Sequence, residues 1–345
     1  MSAVRFSLMA LVLVAACDGN PFVAAPAAPT DPTTPDGGGI HGVELPPGTT
    51  DPTASSDITR QEAQDTDRTS PTYGNGYVSS YSYNAANDTF NVDGLAFDGG
   101  NVYQRGTAVG SINGYAVYQA DDIYNDDVTG YPINQFSHRA IYGVSTTGKT
   151  AFAIVRTGAY VPYGFGGFIY QRNGKVTLPT SGQAHFAGDY AGLRDFSGKG
   201  GMEYTDGKMT VDIDFNDFDT GSGVKGYVTG RHIYDMNGAD ITMDYLAAMN
   251  LNLNPDSPLT ALPTLVFAVG PGAIDANGEI SGQVGSNYAS GGALATLESG
   301  VYYAVIAGDA TTANSEIAGI IVVTSAVPGA TTVTVRETGG FILYR

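Results

Sequence analysis

The fold is decided by one glycine-punctuated stretch at residues 188–230, which reads GDYAGLRDFSGKGGMEYTDGKMTVDIDFNDFDTGSGVKGYVTG. Apolar and polar residues alternate on both sides of Asp206-Gly207, as in a β-strand whose successive side chains point to opposite faces. Asp-Gly is among the strongest two-residue hairpin turns, because both positions tolerate a positive φ. The stretch therefore predicts a hairpin with its bend at Asp206-Gly207, which places Tyr204 opposite Met209 on one buried face.

Similar short strands continue from this stretch to Arg345. About eight antiparallel strands at short spacing are typical of an up-and-down barrel, which leaves no open edge. We therefore predict a mainly β protein with a C-terminal antiparallel barrel over residues 186–345, interrupted by a short helix at 240–249 with Asp240 as its N-cap. Besides the hairpin, the barrel strands are expected at 224–229, 265–269, 279–284, 300–306, 317–324, 332–338 and 341–344.

A smaller, β-rich, handle-like subdomain is expected before the barrel, at residues 71–178. The sequence favours a strand pair at 77–83 and 89–97, joined through 85–88. A helical turn at 136–141 is an alternative to a strand there, because that segment lacks Gly and Pro. The segment Gly166–Arg172, GGFIYQR, is echoed by GGFILYR at residues 339–345, which suggests two related units. Further strands are expected at 102–104, 115–118, 140–144, 150–157 and 167–171.

The first residues predict export and lipid anchoring. Residues 1–16 have a positive start and an apolar run too short to span a bilayer, which is typical of a signal peptide. The ending Val-Ala-Ala-Cys resembles the lipobox of bacterial lipoproteins, which implies that Cys17 carries a diacylglycerol and an acyl chain such as palmitate. An ordinary signal peptide with an accidental cysteine is the alternative. The lipobox implies a lipid-anchored protein of the bacterial cell envelope, in the outer membrane, although Asp18 leaves inner-membrane retention open.

Composition separates the anchor from the folded units and excludes some partners. Residues 17–70 are rich in Pro, Thr, Asp and Gly without apolar periodicity, and they predict a disordered tether. The net charge is −18 without a basic cluster, so nucleic acid is a poor partner. The single cysteine allows no disulfide within the chain, so the core must supply the stability. The membrane is expected as a partner only through the lipid on Cys17.

The sequence motifs that could indicate catalysis or cofactor binding lack the structural context that these functions require. The G-x-G-x-x-G pattern at 221–226 is followed by a strand and not by the helix that a dinucleotide site requires. Asp212 and Asp214 stand about 7 Å apart on one strand face, which is the spacing of an inverting glycosidase, but alternating carboxylates are common on solvated strands. We therefore predict no catalytic residue and no cofactor.

Metal binding is not indicated either. The histidines are scattered, and the calcium-loop pattern that begins at Asp212 lacks the required Gly and Glu. A solvated acidic loop explains the remaining carboxylates better than a loose calcium site does. We predict no metal site. The carboxylates of this acidic loop are Asp121, Asp122, Asp126 and Asp127.

Aromatic residues in one loop are the candidate contact surface. Tyr160, Tyr163 and Phe165 surround Pro162 and Gly164, which favour a loop over a strand. Rigid, amphipathic aromatic side chains make good contacts for a partner. We predict a partner-binding loop here, and the alternative is that these rings cover the end of the core.

The second unit resembles the barrel domain of the transferrin-binding protein B family of surface lipoproteins. The resemblance rests on the strand segments at 188–192 and 211–215 with a glycine-rich return at 224–226, on the segments ESGVYY at 298–303 and SEIAGI at 315–320, and on the closing strand at 340–344. The family pairs a handle subdomain with a barrel behind a lipidated N-terminus, which is the order expected here. Family members are larger and bilobed, so the resemblance implies one lobe and an envelope-exposed binding role, and it does not imply transferrin binding itself.

The expected function is that of a non-catalytic, lipid-anchored envelope protein that presents barrel loops to an unknown protein or small-ligand partner. A lipocalin-like carrier of an apolar ligand and an envelope hydrolase are the alternatives. Large inward residues, namely Met202, Met209, Ile213 and Phe215, would fill the lumen of a binding protein and would line a void in a carrier.

Overall fold

The computed structural model describes residues 43–95, 100–120, 128–130, 138–158, 162–215, 223–268 and 273–345. Cys17, Asp18, Tyr160 and the four loop aspartates lie outside these residues. The strands form two sheets, and the described residues include one helix, α1 (Thr242–Asn252). The first sheet contains β1 (Ile58–Gln61), β2 (Ser80–Asn84), β3 (Thr89–Asp93), β4 (Val102–Arg105), β5 (Ser111–Ile112), β6 (Tyr115–Gln119), β7 (His138–Val144), β8 (Thr150–Thr157) and β9 (Gly166–Arg172). The second contains β10 (Val176–Thr177), β11 (Gln183–Ser197), β12 (Met202–Asp214), β13 (Val224–Tyr234), β14 (Leu265–Phe267), β15 (Glu279–Ser290), β16 (Ala293–Asp309), β17 (Asn314–Ala326) and β18 (Thr334–Tyr344).

The second sheet closes into the expected up-and-down barrel. Each strand from β11 to β18 pairs antiparallel with the next, and β18 returns to pair with β11. The barrel therefore has eight strands, as predicted, and β10 adds to it by parallel pairing with β16. Residues 332–338 and 341–344, which we expected as two strands, are joined in β18.

The predicted hairpin at Asp206-Gly207 is wrong. Both residues lie inside the single strand β12, which pairs without interruption with β11 from Gln183 opposite Asp214 to Asp195 opposite Met202. Tyr204 and Met209 therefore point to opposite faces of the strand. The apolar face changes sides at Asp206-Gly207 because the outer surface around Tyr204 is covered by the first sheet, whereas Met209 points into the barrel.

Apolar side chains pack the barrel interior. Met209, Ile213 and Phe215 fill the lumen as predicted, whereas Met202 lies on the outward-facing parity of β12. The rings of Phe267 and Tyr302 stack with their centroids 3.6 Å apart inside it. The side chains of the described residues therefore fill the lumen of the barrel. Other members of the same buried cluster are Phe186, Val211, Val224, Val228, Leu265, Ile280, Val284, Ile306, Ile317, Ile321, Val323, Phe341 and Leu343.

The first sheet lies against the outside of the barrel. Its strands run in the order β1-β9-β8-β7-β6-β4-β3-β2, with β5 beside β6. One face packs on barrel strands β11, β12, β16, β17 and β18, and the other face holds a second core. The two echoed segments form the last strand of each sheet along the chain, β9 and the end of β18. The aromatic residues of β9 point towards the barrel, whereas Phe341 of β18 points into the lumen. In the interface, Phe152, Ile154, Phe168 and Tyr170 of the sheet meet Ala191, Leu193, Val305, Ala318, Ile320 and Ile342 of the barrel.

The tether prediction extends too far along the chain. Residues 58–61 form β1, which pairs with β9, and Ile58 is fully buried. The Arg60 guanidinium donates to both oxygens of Glu279 on the barrel, at 2.8 Å each. This segment is ordered because it covers a strand edge and supplies a buried ion pair, although it carries little apolar periodicity. The unit boundary also differs slightly, because Val176–Thr177 already pair with the barrel and β11 begins at Gln183.

Helix α1 is present where the sequence predicts a helix, but its start differs. Ile241 is the N-cap, and the carboxylate of Asp240 accepts the amide of Thr242 at 2.8 Å. Asp240 is held by a bridge to Tyr234, which keeps it outside the helix. Thr242, Leu246 and Met249 form the buried side, with the expected Met243 exposed. The alternative helical turn at 136–141 is wrong from residue 138 onward, where β7 begins.

Candidate binding surface

A buried ionic cluster closes one end of the barrel beneath α1. Arg231 donates to both oxygens of Glu298, at 2.6 and 2.8 Å, and also to Glu337 at 3.1 and 3.2 Å. Arg194 donates to Glu203 at 2.7 Å, and its guanidinium lies 4.5 Å from the centre of the Tyr245 ring of the helix. The cavity among these groups has a volume of about 10 Å³. A space of this size holds no ligand, so the cluster is structural.

Ion pairs also fasten the first sheet to the barrel. Arg156 of β8 is fully buried, and its Nη1 lies 3.0 Å from Glu62 Oε2 while its Nη2 donates to Thr338 on β18 at 2.9 Å. Asp195 of the barrel lies 3.7 Å from Arg156 Nε, and it also accepts from its barrel neighbour Arg336 at 3.1 and 2.6 Å. Arg336 in turn donates to the carbonyl of Tyr163 at 3.1 Å. Burial and the repulsion of Arg336 lower the pKa of Arg156. These groups tie the sheet and the barrel into one body.

The predicted aromatic loop contributes to the same junction. Tyr163 shares a hydrogen bond of 2.6 Å with Thr334, and its ring centre lies 5.0 Å from the guanidinium carbon of Arg336. Phe165 packs edge-on against Tyr73 and Tyr77, at 5.8 and 5.1 Å between ring centres. The two described rings therefore pack against the protein itself. Tyr160 lies outside the described residues, and a role of this loop in partner binding stays a prediction.

The two strand carboxylates of the hydrolase alternative lie in an open depression of about 420 Å³ at the rim of the barrel. Asp212 is 52% exposed and lies 2.7 Å from the ring of His185, and Asp214 accepts a hydrogen bond from Gln183 at 2.8 Å. Both carboxylates are solvated and already paired, which is typical of a surface strand. Among the described residues, no three His, Cys, Asp or Glu side chains converge as a metal site.

A tyrosine-rich cleft lies where the far edge of the first sheet meets the barrel, and its volume is about 400 Å³. Tyr83, Tyr118 and Tyr142 form one wall, with the Tyr83 ring centre 6.3 Å from that of Tyr118 and 5.7 Å from that of Tyr142. Tyr118 and Tyr142 pack on the buried ring of Phe90, at 5.4 and 5.5 Å between ring centres, and Tyr83 packs on both of them. Tyr83 keeps 40% of its surface exposed. We call this space the tyrosine cleft.

One carboxylate organises the polar part of this wall. Asp88 stands in the β2–β3 turn with φ 51°, a left-handed conformation that Asp tolerates. It accepts hydrogen bonds from Tyr83 at 3.2 Å, from Tyr118 at 2.9 Å and from Arg105 at 2.9 and 2.7 Å. The hydrogen bond from Arg105 is the main reason why the pKa of Asp88 lies below its usual value. The Arg105 guanidinium is held 4.6 Å from the centre of the Tyr118 ring.

The opposite side of the tyrosine cleft is held by bonds between the sheet and the barrel. Asn113 donates to the carbonyls of Tyr190 and Gly207, at 3.1 and 2.7 Å. The Tyr115 hydroxyl donates to the Asp189 carbonyl at 2.7 Å and accepts the amide of Ile342 at 2.8 Å. Both sides of the cleft are therefore held by hydrogen bonds within the protein.

Sequence reasoning missed the tyrosine cleft. Its walls come from β2, β4, β6, β7, β11 and β18, and no local pattern brings these segments together. The one available signal was composition, since the chain has 22 Tyr and no Trp. The turn that carries Asp88 was predicted, but its carboxylate gave no sign of its partners.

Comparisons with known proteins give a weak structural likeness. No protein-family model matches the chain, and no curated protein matches it. Two crystal structures of the vaccine antigen transferrin binding protein B from Haemophilus parasuis Hp5 are similar, each at 11% identity over 84% of this chain. The TM-score is 0.35 for a double mutant, of which 45% is covered, and 0.36 for a single mutant, of which 47% is covered. The chain thus spans less than half the length of these structures, which carry the name of the family that the sequence resembles.

Proposed function

We propose that this chain is a lipid-anchored, non-catalytic binding protein of the bacterial cell envelope, displayed on the outer membrane, and that it presents the outer surface and loops of a sheet-and-barrel body to a protein or small-ligand partner. The N-terminal pattern that ends in Cys17 supports the anchor. In this arrangement residues 1–16 are the signal peptide and a tether precedes the first described residues. No helix in the described part of the chain is long and apolar enough to cross a bilayer.

The packed lumen is the observation that carries the binding role. A carrier of the lipocalin type needs a void inside the barrel, but Met209, Ile213, Phe215 and their neighbours occupy that space. With the interior filled, the remaining places for a partner are on the outside. This argues against the carrier and leaves the surface, including the loops and the tyrosine cleft, as the binding region.

The attachment of the first sheet makes this surface rigid and oriented. Strand β1, which follows the N-terminal segment, is at one edge of the sheet, and β2, which carries Tyr83, is at the other edge. The Arg60–Glu279 and Arg156–Asp195 pairs and the hydrogen bond from Arg336 to the Tyr163 carbonyl hold the sheet on the barrel. A tether attached near β1 therefore leaves the β2 edge and its cleft accessible to a partner.

Metabolic labelling with palmitate, followed by protease treatment of whole cells, tests this proposal. The wild-type chain should incorporate label and be digested from outside, whereas Cys17→Ser should remain unlabelled. Unlabelled wild-type protein would contradict the anchor, and labelled protein that resists protease on intact cells would contradict surface display. Affinity capture from the medium or from host fluids with the purified chain then tests for a partner.

A further inference from the structure

The tyrosine cleft has the chemistry of a carbohydrate site. All of its lining residues lie in the described part of the chain, and its volume of about 400 Å³ is within the usual range for a small-molecule site, roughly 300–1,000 Å³. We propose that it binds one or two units of a neutral oligosaccharide. This assignment deepens the proposed binding function by naming a ligand class, but it does not depend on the lipid anchor.

The aromatic wall matches the apolar side of a sugar ring. A pyranose exposes a patch of C–H groups on each face, and such patches pack on the flat faces of aromatic rings. The accessible rings are Tyr83 and Tyr142, which are inclined by 36° to each other and form a splayed wall and not a closed cage, while Tyr118 is buried behind them. A splayed wall suits a broad, flat ligand better than a compact cation.

The polar groups match the rim of hydroxyls around the same ring. Arg105 lines the tyrosine cleft and supplies donors, and Asp88 stands beside it and holds it in place; the two side chains are 37% and 44% exposed. Its hydrogen bonds to Asp88 and to the Gly110 carbonyl hold the guanidinium in position, so sugar hydroxyls can accept from its remaining N–H groups at little entropic cost. Tyr83, Tyr118 and Arg105 all donate to Asp88, so this half-exposed carboxylate has three partners that hold it in place.

The charge balance of the tyrosine cleft selects a neutral ligand. Asp88 is paired with Arg105, and Asp189 on the barrel side is paired with Lys208. The two pairs cancel, although the chain as a whole carries a net charge of −18. Because each carboxylate is already neutralised by its own cation, neither a cationic nor an anionic ligand meets an unpaired counter-charge in these two pairs.

The test is ligand-detected saturation-transfer NMR and calorimetry on the purified full chain. The probes are maltotriose, cellotriose and triacetylchitotriose, with choline and inorganic phosphate as charged comparators. At least one trisaccharide should bind saturably, with magnetisation transfer strongest at ring C–H protons. Tyr83→Ala should weaken that binding by about tenfold, the equivalent of one lost stacking contact. Tyr83→Phe retains the ring and should bind nearly as well as the wild type.

Tyr227→Ala is the matched control, because Tyr227 is a similarly exposed tyrosine on β13 outside the tyrosine cleft. It should bind like the wild type, and all three variants should keep the wild-type circular dichroism and melting temperature. Absence of binding by all three sugars, or binding that Tyr83→Ala leaves unchanged, would overturn the proposal. Tyr83-dependent binding of choline or phosphate in place of the sugars would also overturn it. None of these results bears on the labelling and protease experiments, so failure of the sugar site and failure of the anchor are distinguishable.

Discussion

Gly340 offers the sharpest test that the first sheet and the barrel form one body. A Cβ atom on Gly340 of β18 would stand 2.2 and 2.3 Å from two ring carbons of Phe152 on β8, where carbon atoms normally approach to about 3.5–4.0 Å. Phe152 is fully buried, and Tyr115 packs edge-on against it with 4.9 Å between ring centres, so the ring cannot withdraw by the required distance of more than about 1 Å. We expect Gly340→Ala to lower the free energy of unfolding by about 3 kcal/mol, at the upper end of overpacking effects.

Phe152→Ala alone should cost about 4 kcal/mol, because it leaves a cavity in the interface. In the double variant the new methyl group enters that cavity. The destabilisation of the double variant should therefore be smaller, by about 2 kcal/mol, than the sum of the destabilisations of the two single variants. Urea unfolding of the full chain, followed by circular dichroism and tyrosine fluorescence, measures all four corners of the cycle.

Gly339→Ala is the matched control for this cycle. Its Cβ would point into the lumen, 2.1 Å from the Tyr190 ring, so it introduces a clash of similar size on the other face of the same strand. Gly339→Ala and Phe152→Ala should add to within about 0.5 kcal/mol. If Gly340→Ala and Phe152→Ala were equally additive, β8 and β18 would not touch as described and the one-body account would be refuted.

Two further predictions concern the barrel itself. Burial acts to raise the pKa of Glu298, but the Arg231 ion pair and the Ser286 hydrogen bond outweigh it, so the pKa lies below its usual value. The stability from this pair should be present above pH about 4.5 and lost as the pH falls through the lowered pKa. Glu298→Gln should lower the free energy of unfolding by about 3 kcal/mol at pH 7, and this variant should lose less stability than the wild type between pH 5 and 3. Urea-unfolding stabilities of the two proteins that fall in parallel with pH would contradict this. Gly230 has φ 56° beside the β12–β13 register shift, and the space that a Cβ atom would enter there is open. Gly230→Ala should therefore cost about 1 kcal/mol of stability, measured by thermal melting, and Gly230→Asn should cost less, since Asn tolerates a positive φ. Equal costs for the two variants would show that the register shift does not require a positive φ at this residue.

The barrel could be predicted from the sequence because its strands are long, regular and linked in chain order. The echo of Gly166–Arg172 at the C-terminus correctly marks the last strand of each sheet. The bend at Asp206-Gly207 could not be recognised as wrong from local signals, because turn propensity and alternation agreed. In a strand that is buried on both faces, the apolar residues can lie on one face in its first half and on the other face in its second half. This could be recognised only from the structure, in which the first sheet covers Tyr204.

Buried charges account for much of what the sequence could not reveal. Arg194, Arg231 and Glu203 point into the barrel, so the polarity pattern of β11, β12 and β13 appears reversed at that end. Arg231 is acceptable there because Glu298 and Glu337 reach it from other strands, whereas Arg194 and Glu203 neutralise each other across the β11–β12 pair. The ordering of residues 58–61 has the same cause, since Arg60 meets Glu279 more than 200 residues along the chain. The tyrosine cleft likewise depends on the docking of the two sheets.

The most direct test of the account asks whether the barrel holds its ligand inside or outside. The full chain with Cys17→Ser, in detergent-free buffer, can be titrated with oleic acid by equilibrium dialysis and calorimetry. Because Met209, Ile213 and Phe215 pack the lumen, we predict no saturable binding. One-to-one saturable binding that a lumen substitution such as Met209→Trp abolishes would contradict the account and would identify the protein as a carrier.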